Sequence, residues 1–146
     1  MRIYVASSWR NERQPSVVFD LRAAGHEVYD FRNPRAGDQG FHWSEIDKAW
    51  QMWDAKTYRE ALSDPVAEAG FASDFDAMKW ADACVLVLPC GRSAHLEAGW
   101  FAGQRKQLVI LLLGDVEPEL MYKMADRICI TPDEVLAALA ERRGGA

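Results

Sequence analysis

Two aliphatic stretches decide the fold, Cys84–Leu88 (CVLVL) and Leu108–Leu113 (LVILLL). Neither contains a polar side chain, which is typical of a strand covered on both faces in a parallel sheet. Shorter runs at Arg2–Ala6, Glu27–Phe31 and Arg127–Ile130 predict three further strands. The sequence therefore predicts a sheet of five strands.

Helical patterns separate these strands. The predicted helices are Pro15–Ala24, a long and mostly helical stretch Phe41–Ala81 that breaks near Ser63–Pro65, Ser93–Gly103, Pro118–Ala125, and Pro132–Arg142 capped by Thr131. Strands that alternate with helices predict a mostly parallel sheet with helices on both faces. Because crossovers are right-handed, few topologies remain. We predict an α/β, flavodoxin-like three-layer sandwich with strand order 2-1-3-4-5, built as a single domain over residues 1–146.

Composition excludes several classes of protein. Hydrophobic residues make up 49% of the chain and charged residues 27%, which supplies a core and argues against global disorder. The net charge of −5 lacks the basic footprint of a nucleic-acid binder. No apolar run is long enough to span a bilayer. The three cysteines form no CxxC pair, so we expect reduced thiols, a cytoplasmic location, and no nucleic-acid or membrane partner.

Two loops are expected to form the functional site. In this fold ligands bind beyond the carboxyl ends of the strands where the strand order reverses, here between the first and third strands. The first loop, Ser7–Gln14, carries Ser7, Ser8 and Arg10 before a helix start, a pattern that favours phosphate or sugar hydroxyls. The alternative is a capping serine with solvated neighbours. The loop contains neither a dinucleotide fingerprint nor a P-loop.

The second loop, Pro89–Ser93, leads into a helix that carries Glu97. We expect Ser93 to cap this helix and Glu97 to lie in its first turn. Small residues are expected to let the helix approach the sheet closely: Ala98, Gly99, Ala102 and Gly103. Glu97 has two interpretations, a carboxylate that faces the crevice or a surface glutamate favoured by the helix dipole. Cys90 and Gly91 lie in the same loop, and Cys90 has no obvious histidine partner.

Further carboxylates precede the third strand, at Asp74, Asp76 and Asp82. Asp74 and Asp82 are two helical turns apart and are expected to share a face. Together with Glu97, one of them would make the acid pair used in glycosidic-bond chemistry. The alternatives are a solvated helix face and, for Asp82, a turn residue at the start of the strand.

Trp43, Trp50 and Trp53 have the spacing of one helical face. They indicate either core or interface packing, or an aromatic lid over a flat base. The neighbouring His42 is not accompanied by the clustered histidines or cysteines of a metal site. We therefore expect no metal and no cofactor.

Three blocks carry a resemblance to a known family: Ile3–Arg10 (IYVASSWR), Asp74–Asp82 (DFDAMKWAD) and Ser93–Gly99 (SAHLEAG). In order and spacing they resemble the nucleoside 2-deoxyribosyltransferase superfamily, which includes nucleoside 5′-monophosphate N-glycosidases. The resemblance covers most of the chain, and the combination of the blocks is more specific than any one of them.

The resemblance implies a role for each residue. Glu97 matches the nucleophile that forms a covalent glycosyl-enzyme, Asp74 a carboxylate that assists near the base or sugar, and Tyr4 a residue close to the nucleophile. Ser8, Arg10 and Ser93 match positions that contact the sugar or the 5′-phosphate. The resemblance also implies a homo-oligomer, whose interface the tryptophan-rich helices are expected to help form.

Two positions depart from the family pattern. Gly91 stands where many of the transferases carry an acid and where monophosphate hydrolases often carry serine. Glu119 stands where the family tends to place a neutral polar residue lent by a neighbouring subunit, and a carboxylate there would repel a 5′-phosphate. Gly91 thus argues against a transferase, and Glu119 argues against a monophosphate substrate.

The expected function is cleavage or base exchange at the N-glycosidic bond of a nucleoside or nucleoside 5′-monophosphate. Three alternatives stay open: a TIR-like enzyme that cleaves NAD, a non-catalytic nucleotide-binding module, and a flavodoxin-like electron carrier.

Overall fold

A computed structural model describes residues 1–141. The chain divides into two compact units, one made of Met1–Asp30 and the chain from Trp80 onward, the other of Phe31–Lys79. Within the described residues no helix has both the length and the apolar character needed to cross a membrane.

The first unit contains a five-stranded sheet. The strands are β1 Arg2–Ala6, β2 Glu27–Asp30, β3 Ala83–Leu88, β4 Gln107–Leu112 and β5 Arg127–Cys129. All neighbouring strands are parallel, and their order is β2-β1-β3-β4-β5. The predicted topology is confirmed, and the strand bounds differ from the predicted ones by no more than a residue at either end.

Five α-helices lie within residues 1–141: α1 Gln14–Ala23, α2 Ala55–Ala61, α3 Pro65–Trp80, α4 Arg92–Gly103 and α5 Pro132–Ala140. Thr131 caps α5 as predicted, because its side-chain oxygen accepts a 3.2 Å hydrogen bond from the backbone N–H of Glu134. The predicted end of this helix, Arg142, lies outside the described residues. The predicted helix at Pro118–Ala125 is instead a 3₁₀ segment, Leu120–Met124.

The alternation of side chains along the strands separates the two faces of the sheet. Ile3, Val5, Val85 and their neighbours form the core under α1 and α5. Tyr4 points to the opposite face, where it packs against Phe101 of α4. All six residues of β3 are buried, and full burial of each large aliphatic side chain stabilises the fold by about 1.5–3 kcal/mol. Helices on both faces of the sheet are therefore confirmed.

The second unit departs from the prediction of a mostly helical stretch. The predicted break is confirmed, since α2 ends at Ala61 and α3 begins at Pro65. In residues 31–54, however, all of which the structure describes, the helical structure is limited to two 3₁₀ segments, Trp43–Glu45 and Trp50–Met52. Asp47 explains the difference: its carboxylate accepts hydrogen bonds from the backbone N–H of Ala49 at 2.9 Å and from the Trp53 indole at 2.7 Å. Such local bonds compete with helix formation.

Candidate active site

The loops that follow β1 and β3 are joined by side-chain hydrogen bonds. Ser7 Oγ donates to the Val87 carbonyl at 2.9 Å. Asn11 Nδ2 donates to the Pro89 carbonyl at 3.1 Å and to the Val87 carbonyl at 3.4 Å. The two loops predicted to form the site therefore meet at the carboxyl edge of the sheet, where the strand order reverses.

Asn11 is the main link between these loops, a structural role that the sequence pattern did not predict. It is 5% exposed, and its Oδ1 accepts a 2.9 Å hydrogen bond from the backbone N–H of Arg13. This Asx turn is a sequence-level signal, because an asparagine two or three residues before a helix often makes one. Asn11 fixes the loop that carries Ser8, whose carbonyl accepts from the Asn11 N–H at 3.1 Å, and the exposed Arg10.

Tyr4 of β1 and Glu97 of α4 are joined by a hydrogen bond. The Tyr4 hydroxyl donates a 3.0 Å hydrogen bond to Glu97 Oε1. Tyr4 is 1% exposed, and its ring is stacked on Tyr29 with centroids 5.3 Å apart. Glu97 is half-buried. Of the two interpretations of Glu97, the structure supports the carboxylate that faces inward and argues against a solvated surface residue.

The start of α4 differs from the prediction. Gly91 occupies the cap position and the helix begins at Arg92, so Ser93 is its second residue and does not cap it. Glu97 consequently lies in the second turn rather than the first. Gly91 has an ordinary φ of −88°, and a Cβ there would meet nothing within 4 Å. Position 91 therefore has room for a side chain.

The residues of α4 that face the sheet match the prediction at Ala98 and differ from it at the two glycines. The buried side chains are Ala94, Ala98 and Phe101, whereas Leu96 is 78% exposed. A Cβ added at Gly99 or Gly103 would meet nothing within 4 Å. The expectation that these two glycines allow a close approach to the sheet is wrong, because the sheet-facing surface of this helix is made of alanines and one phenylalanine.

Cys90 is a poor nucleophile in this environment. Burial, with the Glu97 carboxylate as the lesser cause, raises the pKa of the Cys90 thiol to about 12. A histidine does lie nearby, with His95 Nδ1 3.7 Å from Cys90 Sγ. The same nitrogen is 2.8 Å from the Gly91 carbonyl, to which it can only donate. A ring nitrogen that carries its proton for this bond cannot act as the base for the thiol.

His95 joins α4 to the 3₁₀ segment Leu120–Met124. The sequence pattern did not predict this link. Its Nε2 lies 2.8 Å from the Tyr122 hydroxyl, and the two rings are stacked with centroids 5.8 Å apart. Burial is the main cause that raises the pKa of Tyr122, with the charges of Cys90 and Glu119 as lesser causes. Because the ring proton on Nδ1 is used for the bond to the Gly91 carbonyl, Nε2 is an acceptor, and the Tyr122 hydroxyl donates this hydrogen bond.

Asp82 is excluded from the site, because α3 ends at Trp80 and Asp82 is the turn residue that precedes β3. Its carboxylate accepts a 2.6 Å hydrogen bond from the Arg2 guanidinium and a 3.0 Å bond from the Arg2 backbone N–H. The bond to Arg2 lowers the pKa of Asp82. Arg2 begins β1, so this pair lies at the amino edge of the sheet, opposite the loops that hold Glu97.

The other two aspartates lie in the second unit. Asp76 is exposed and forms an ion pair with Lys79, with 2.7 Å between Nζ and Oδ1. Asp74 is half-buried and lines a cavity of about 390 Å³ formed within this unit. Of the two, only Asp74 is placed to meet a ligand there.

The tryptophans do not share a helical face. Trp43 packs edge-on against Phe41, Trp53 and Tyr58, with centroids 4.7, 5.7 and 5.9 Å apart, while Trp50 is 38% exposed. Phe41 lines the cavity and Trp43 does not. The aromatic residues on the cavity wall, Phe31 and Phe41, are thus not the tryptophans for which a lid was predicted.

The part of the chain that the structure describes does not bring together a set of side chains suited to bind a metal ion. Residues 1–141 contain no group of three or more histidine, cysteine, aspartate or glutamate side chains placed to hold an ion. His42 Nε2 is instead 3.2 Å from the Gln39 carbonyl.

Neither a protein-family profile nor a curated protein sequence matches this chain. Solved structures do share its fold. A 2-deoxyribosyltransferase of Bacillus psychrosaccharolyticus has a TM-score of 0.62 and 20% identity, with 92% of this chain and 90% of that chain covered. A CMP N-glycosidase of Clostridium botulinum has a TM-score of 0.51 and 17% identity, over 96% and 99% of the two chains.

A conserved protein of Enterococcus faecalis V583 has a TM-score of 0.59 and 14% identity, over 96% of this chain and 97% of that chain. At these identities the likeness is one of fold. It covers nearly the whole of each chain, so the fold implied by the sequence resemblance is confirmed.

Proposed function

We propose that this protein cleaves the N-glycosidic bond of a nucleoside or nucleoside 5′-monophosphate, or exchanges its base, with Glu97 as the nucleophile. The observation that carries the proposal is the 3.0 Å hydrogen bond from the buried Tyr4 hydroxyl to Glu97 Oε1, at the strand reversal where this fold binds ligands. Fold neighbours that act on 2-deoxyribosyl groups and on CMP add support.

Tyr4 prepares Glu97 for attack in two ways. Its hydroxyl donates to the carboxylate, which favours the charged form of the nucleophile. Because the Tyr4 ring packs against Tyr29 and Phe101, the bond also fixes the direction in which the carboxylate points. A carboxylate held in one orientation reacts with less loss of entropy than a mobile one.

The proposed reaction is a retaining displacement in two steps. The Glu97 carboxylate attacks C1′ of the sugar, and the C1′–N bond breaks with its electron pair left on the base nitrogen. Asp74, the carboxylate that the family resemblance places near the base or sugar, gives its proton to that nitrogen. The products of this step are the free base and a glycosyl ester on Glu97.

The second step releases the sugar. Water attacks C1′ of the ester and passes its proton to the Asp74 carboxylate, which restores both carboxyl groups to their starting states. If the ring nitrogen of a second base attacks in place of water, the product is a new nucleoside. Hydrolysis and base exchange therefore share the first step and differ only in the second acceptor.

The 5′-phosphate, where the substrate has one, would be bound at the start of α4 and by the loop after β1. The first backbone N–H groups of a helix attract anions, and the resemblance assigns Ser93 and Ser8 to the sugar or phosphate. Arg10 is exposed in the same loop and has the fork geometry that suits phosphate oxygens. Ser7, in contrast, holds the two loops together through the Val87 carbonyl.

The test is a product screen by mass spectrometry. The protein would be incubated with nucleosides, 5′-monophosphates and NAD, each with and without a second free base. We expect base release or exchange that Glu97→Ala abolishes and that Asp82→Asn, the matched change of an acid outside the site, leaves intact. Acid quench of the intact protein should reveal one glycosyl group on the peptide that contains Glu97.

Three outcomes would overturn the proposal. Full activity of Glu97→Ala would remove the nucleophile, and release of nicotinamide from NAD alone would indicate a TIR-like enzyme. Ligand binding without turnover of any compound would indicate a nucleotide-binding module.

A further inference from the structure

The loop between β3 and α4, Pro89–Gly91, is held by side-chain nitrogens at both of its ends. At its start the Pro89 carbonyl accepts a 3.1 Å hydrogen bond from Asn11 Nδ2. At its end the Gly91 carbonyl lies 2.8 Å from His95 Nδ1. The first contact joins the two loops of the candidate site. The second comes from α4 itself, and the reaction proposed above gives His95 no role.

The start of α4 lacks the usual side-chain cap. Gly91 is the cap residue, and no side chain accepts a hydrogen bond there, whereas serine, threonine or aspartate would bind the first N–H groups of the helix. His95 instead reaches back one helical turn to the Gly91 carbonyl. The imidazole therefore holds the cap peptide in the absence of a capping side chain.

A bond that fixes the Gly91 carbonyl also fixes the N–H that follows it. The carbonyl of Gly91 and the N–H of Arg92 belong to one planar trans peptide, in which the two groups point in opposite directions. Arg92 is the first residue of α4, and the N–H groups of a first turn have no acceptor within their own helix. The bond from His95 thus sets the direction of the first donor at this end of α4.

Tyr122 determines which nitrogen of His95 carries the proton. A neutral imidazole has one donor and one acceptor nitrogen. His95 Nε2 lies 2.8 Å from the Tyr122 hydroxyl, and the two stacked rings have centroids 5.8 Å apart. A hydroxyl that donates to Nε2 leaves the proton on Nδ1, where the Gly91 carbonyl requires it. At metal sites the second partner of a histidine fixes its tautomer and ring orientation in the same way.

The loop that His95 holds lies beside the proposed nucleophile. Cys90 Sγ is 3.7 Å from His95 Nδ1, and the charge of Glu97 contributes to the raised pKa of the Cys90 thiol. All of these residues belong to the first unit of the chain. The orientation of the Gly91 peptide is therefore set next to the carboxylate that is proposed to react.

We propose that His95 is a positioning residue of the candidate active site, held by Tyr122 in the tautomer with its proton on Nδ1, and that it directs the Arg92 N–H toward the sugar or 5′-phosphate of the substrate. The inference rests on the proposed function, which places these groups at the start of α4. Because they do not change during the reaction, the contribution of His95 falls on substrate binding, and hence on KM, rather than on kcat.

Two substitutions at His95 separate its two bonds. The side-chain nitrogen of asparagine is attached to Cγ, as Nδ1 is in histidine, whereas that of glutamine is attached one carbon further along, as Nε2 is. His95→Asn therefore keeps the donor to the Gly91 carbonyl, and its amide has no tautomer for Tyr122 to fix. His95→Gln moves the donor away from Gly91.

The kinetic test uses the substrate that the product screen identifies. We expect His95→Gln to raise KM roughly 3- to 10-fold, the effect of one hydrogen bond, while kcat stays within about twofold. His95→Asn should restore KM to within about twofold of the value for the parent protein. The matched control is His26→Gln, the same change in a histidine that lies just before β2, and its KM should equal that of the parent protein.

Two measurements by NMR read the positioning without turnover. Long-range proton–nitrogen correlation of the His95 ring should show the proton on Nδ1 in the parent protein and a shift toward the form protonated on Nε2 in Tyr122→Phe. Relaxation of the Arg92 amide nitrogen should report a rigid backbone in the parent protein and in His95→Asn, and a more mobile one in His95→Gln. The His95 signals are assigned by their absence from His95→Asn.

The outcomes separate this inference from the proposed function. If the Arg92 amide becomes mobile in His95→Gln but not in His95→Asn, the positioning by His95 stands even when no nucleoside is cleaved. If nucleosides are cleaved through Glu97 with one KM for the parent protein and both His95 variants, the proposed function stands and the positioning role fails. A proton on Nε2 in the parent protein would also overturn it. So would equal losses in the two variants, because they would show that His95 acts only through packing.

Discussion

Tyr4 Oη lies 3.0 Å from Glu97 Oε1, and this hydrogen bond joins the third residue of β1 to the second turn of α4 across 93 positions of sequence. The bond is made from a tyrosine whose ring is fully enclosed. It ties the proposed nucleophile to a buried residue of the sheet, so the orientation of Glu97 depends on the packing of the core.

Replacing Tyr4 by phenylalanine should separate this bond from the packing of the ring. Tyr4→Phe keeps the stack on Tyr29 and loses the donor to Glu97, and a hydrogen bond to a charged group is worth about 1.5–3 kcal/mol. We expect kcat to fall by roughly 10- to 100-fold. Tyr29→Phe, the same change in the neighbouring ring, should have a smaller effect; equal losses would argue that Tyr4 acts only through packing.

Asn11→Asp should weaken the junction between the two site loops. The change keeps the Oδ1 that accepts from Arg13 but places a carboxylate against the carbonyls of Val87 and Pro89, both of which need a donor. We expect a loss of about 1–3 kcal/mol in the free energy of unfolding, measured by urea denaturation. Unchanged stability would show that the two loops are held together by other contacts.

Two helix glycines should respond in opposite ways to alanine. Gly99→Ala adds a methyl group to open space and should stabilise the protein by about 0.5–1 kcal/mol. Gly70→Ala should lose that gain, since its Cβ would lie 3.0 Å from Phe41 and overpacking costs about 1–3 kcal/mol. Thermal unfolding of both variants checks the difference. Equal stabilisation by the two changes would show that Phe41 moves away freely.

Cys90 should be inert at neutral pH. Because its pKa is raised to about 12, the thiol keeps its proton over the physiological range, and the reactive thiolate forms only as the pH approaches that value. We expect alkylation by iodoacetamide at pH 7.5 to be much slower than for a free thiol and to accelerate with pH. Cys90→Ala should retain base release. Rapid alkylation at pH 7.5, or loss of turnover in this variant, would give Cys90 a role that the structure does not support.

The protein should form a homo-oligomer. Helix α4 and the 3₁₀ segment Leu120–Met124 are joined by the His95–Tyr122 hydrogen bond. Both carry exposed, large apolar side chains, namely Leu96, Leu120, Met121 and Met124. A patch of this kind commonly marks an interface, and a symmetric dimer would bury it twice. Light scattering at micromolar concentration should report a multiple of 16.5 kDa. Leu120→Glu should reduce the mass, whereas Phe19→Glu on the exposed side of α1 should not; a monomeric parent protein would contradict the prediction.

The sequence predicted the sheet because each strand is marked by a pattern of neighbouring residues. The runs at β3 and β4 are apolar throughout, and the alternation of strands with helices leaves few right-handed topologies. The same argument predicted which two loops would meet, since the carboxyl ends of adjacent parallel strands lie at one edge. The family resemblance, not the pattern of residues, singled out Tyr4 as a neighbour of Glu97.

The sequence-based predictions were wrong where a side chain could bond either to its neighbours in the sequence or to a distant residue. Spacing placed Trp43, Trp50 and Trp53 on one helix, but Asp47 satisfies the backbone and the Trp53 indole and prevents that helix. Asp82 has the spacing of a partner for Asp74, yet its carboxylate binds Arg2, eighty positions away. No local pattern encodes such a contact.

The sequence by itself determined the order of the elements and the edge of the sheet that bears the site, because periodicity and chain chirality act over short distances. Only the tertiary structure decided which side chains meet there. Asn11 reaches the carbonyls after β3, His95 binds Tyr122, and Gly70 admits the ring of Phe41. Each of these contacts depends on packing between segments far apart in the chain, where geometry is set by the whole core rather than by neighbouring residues.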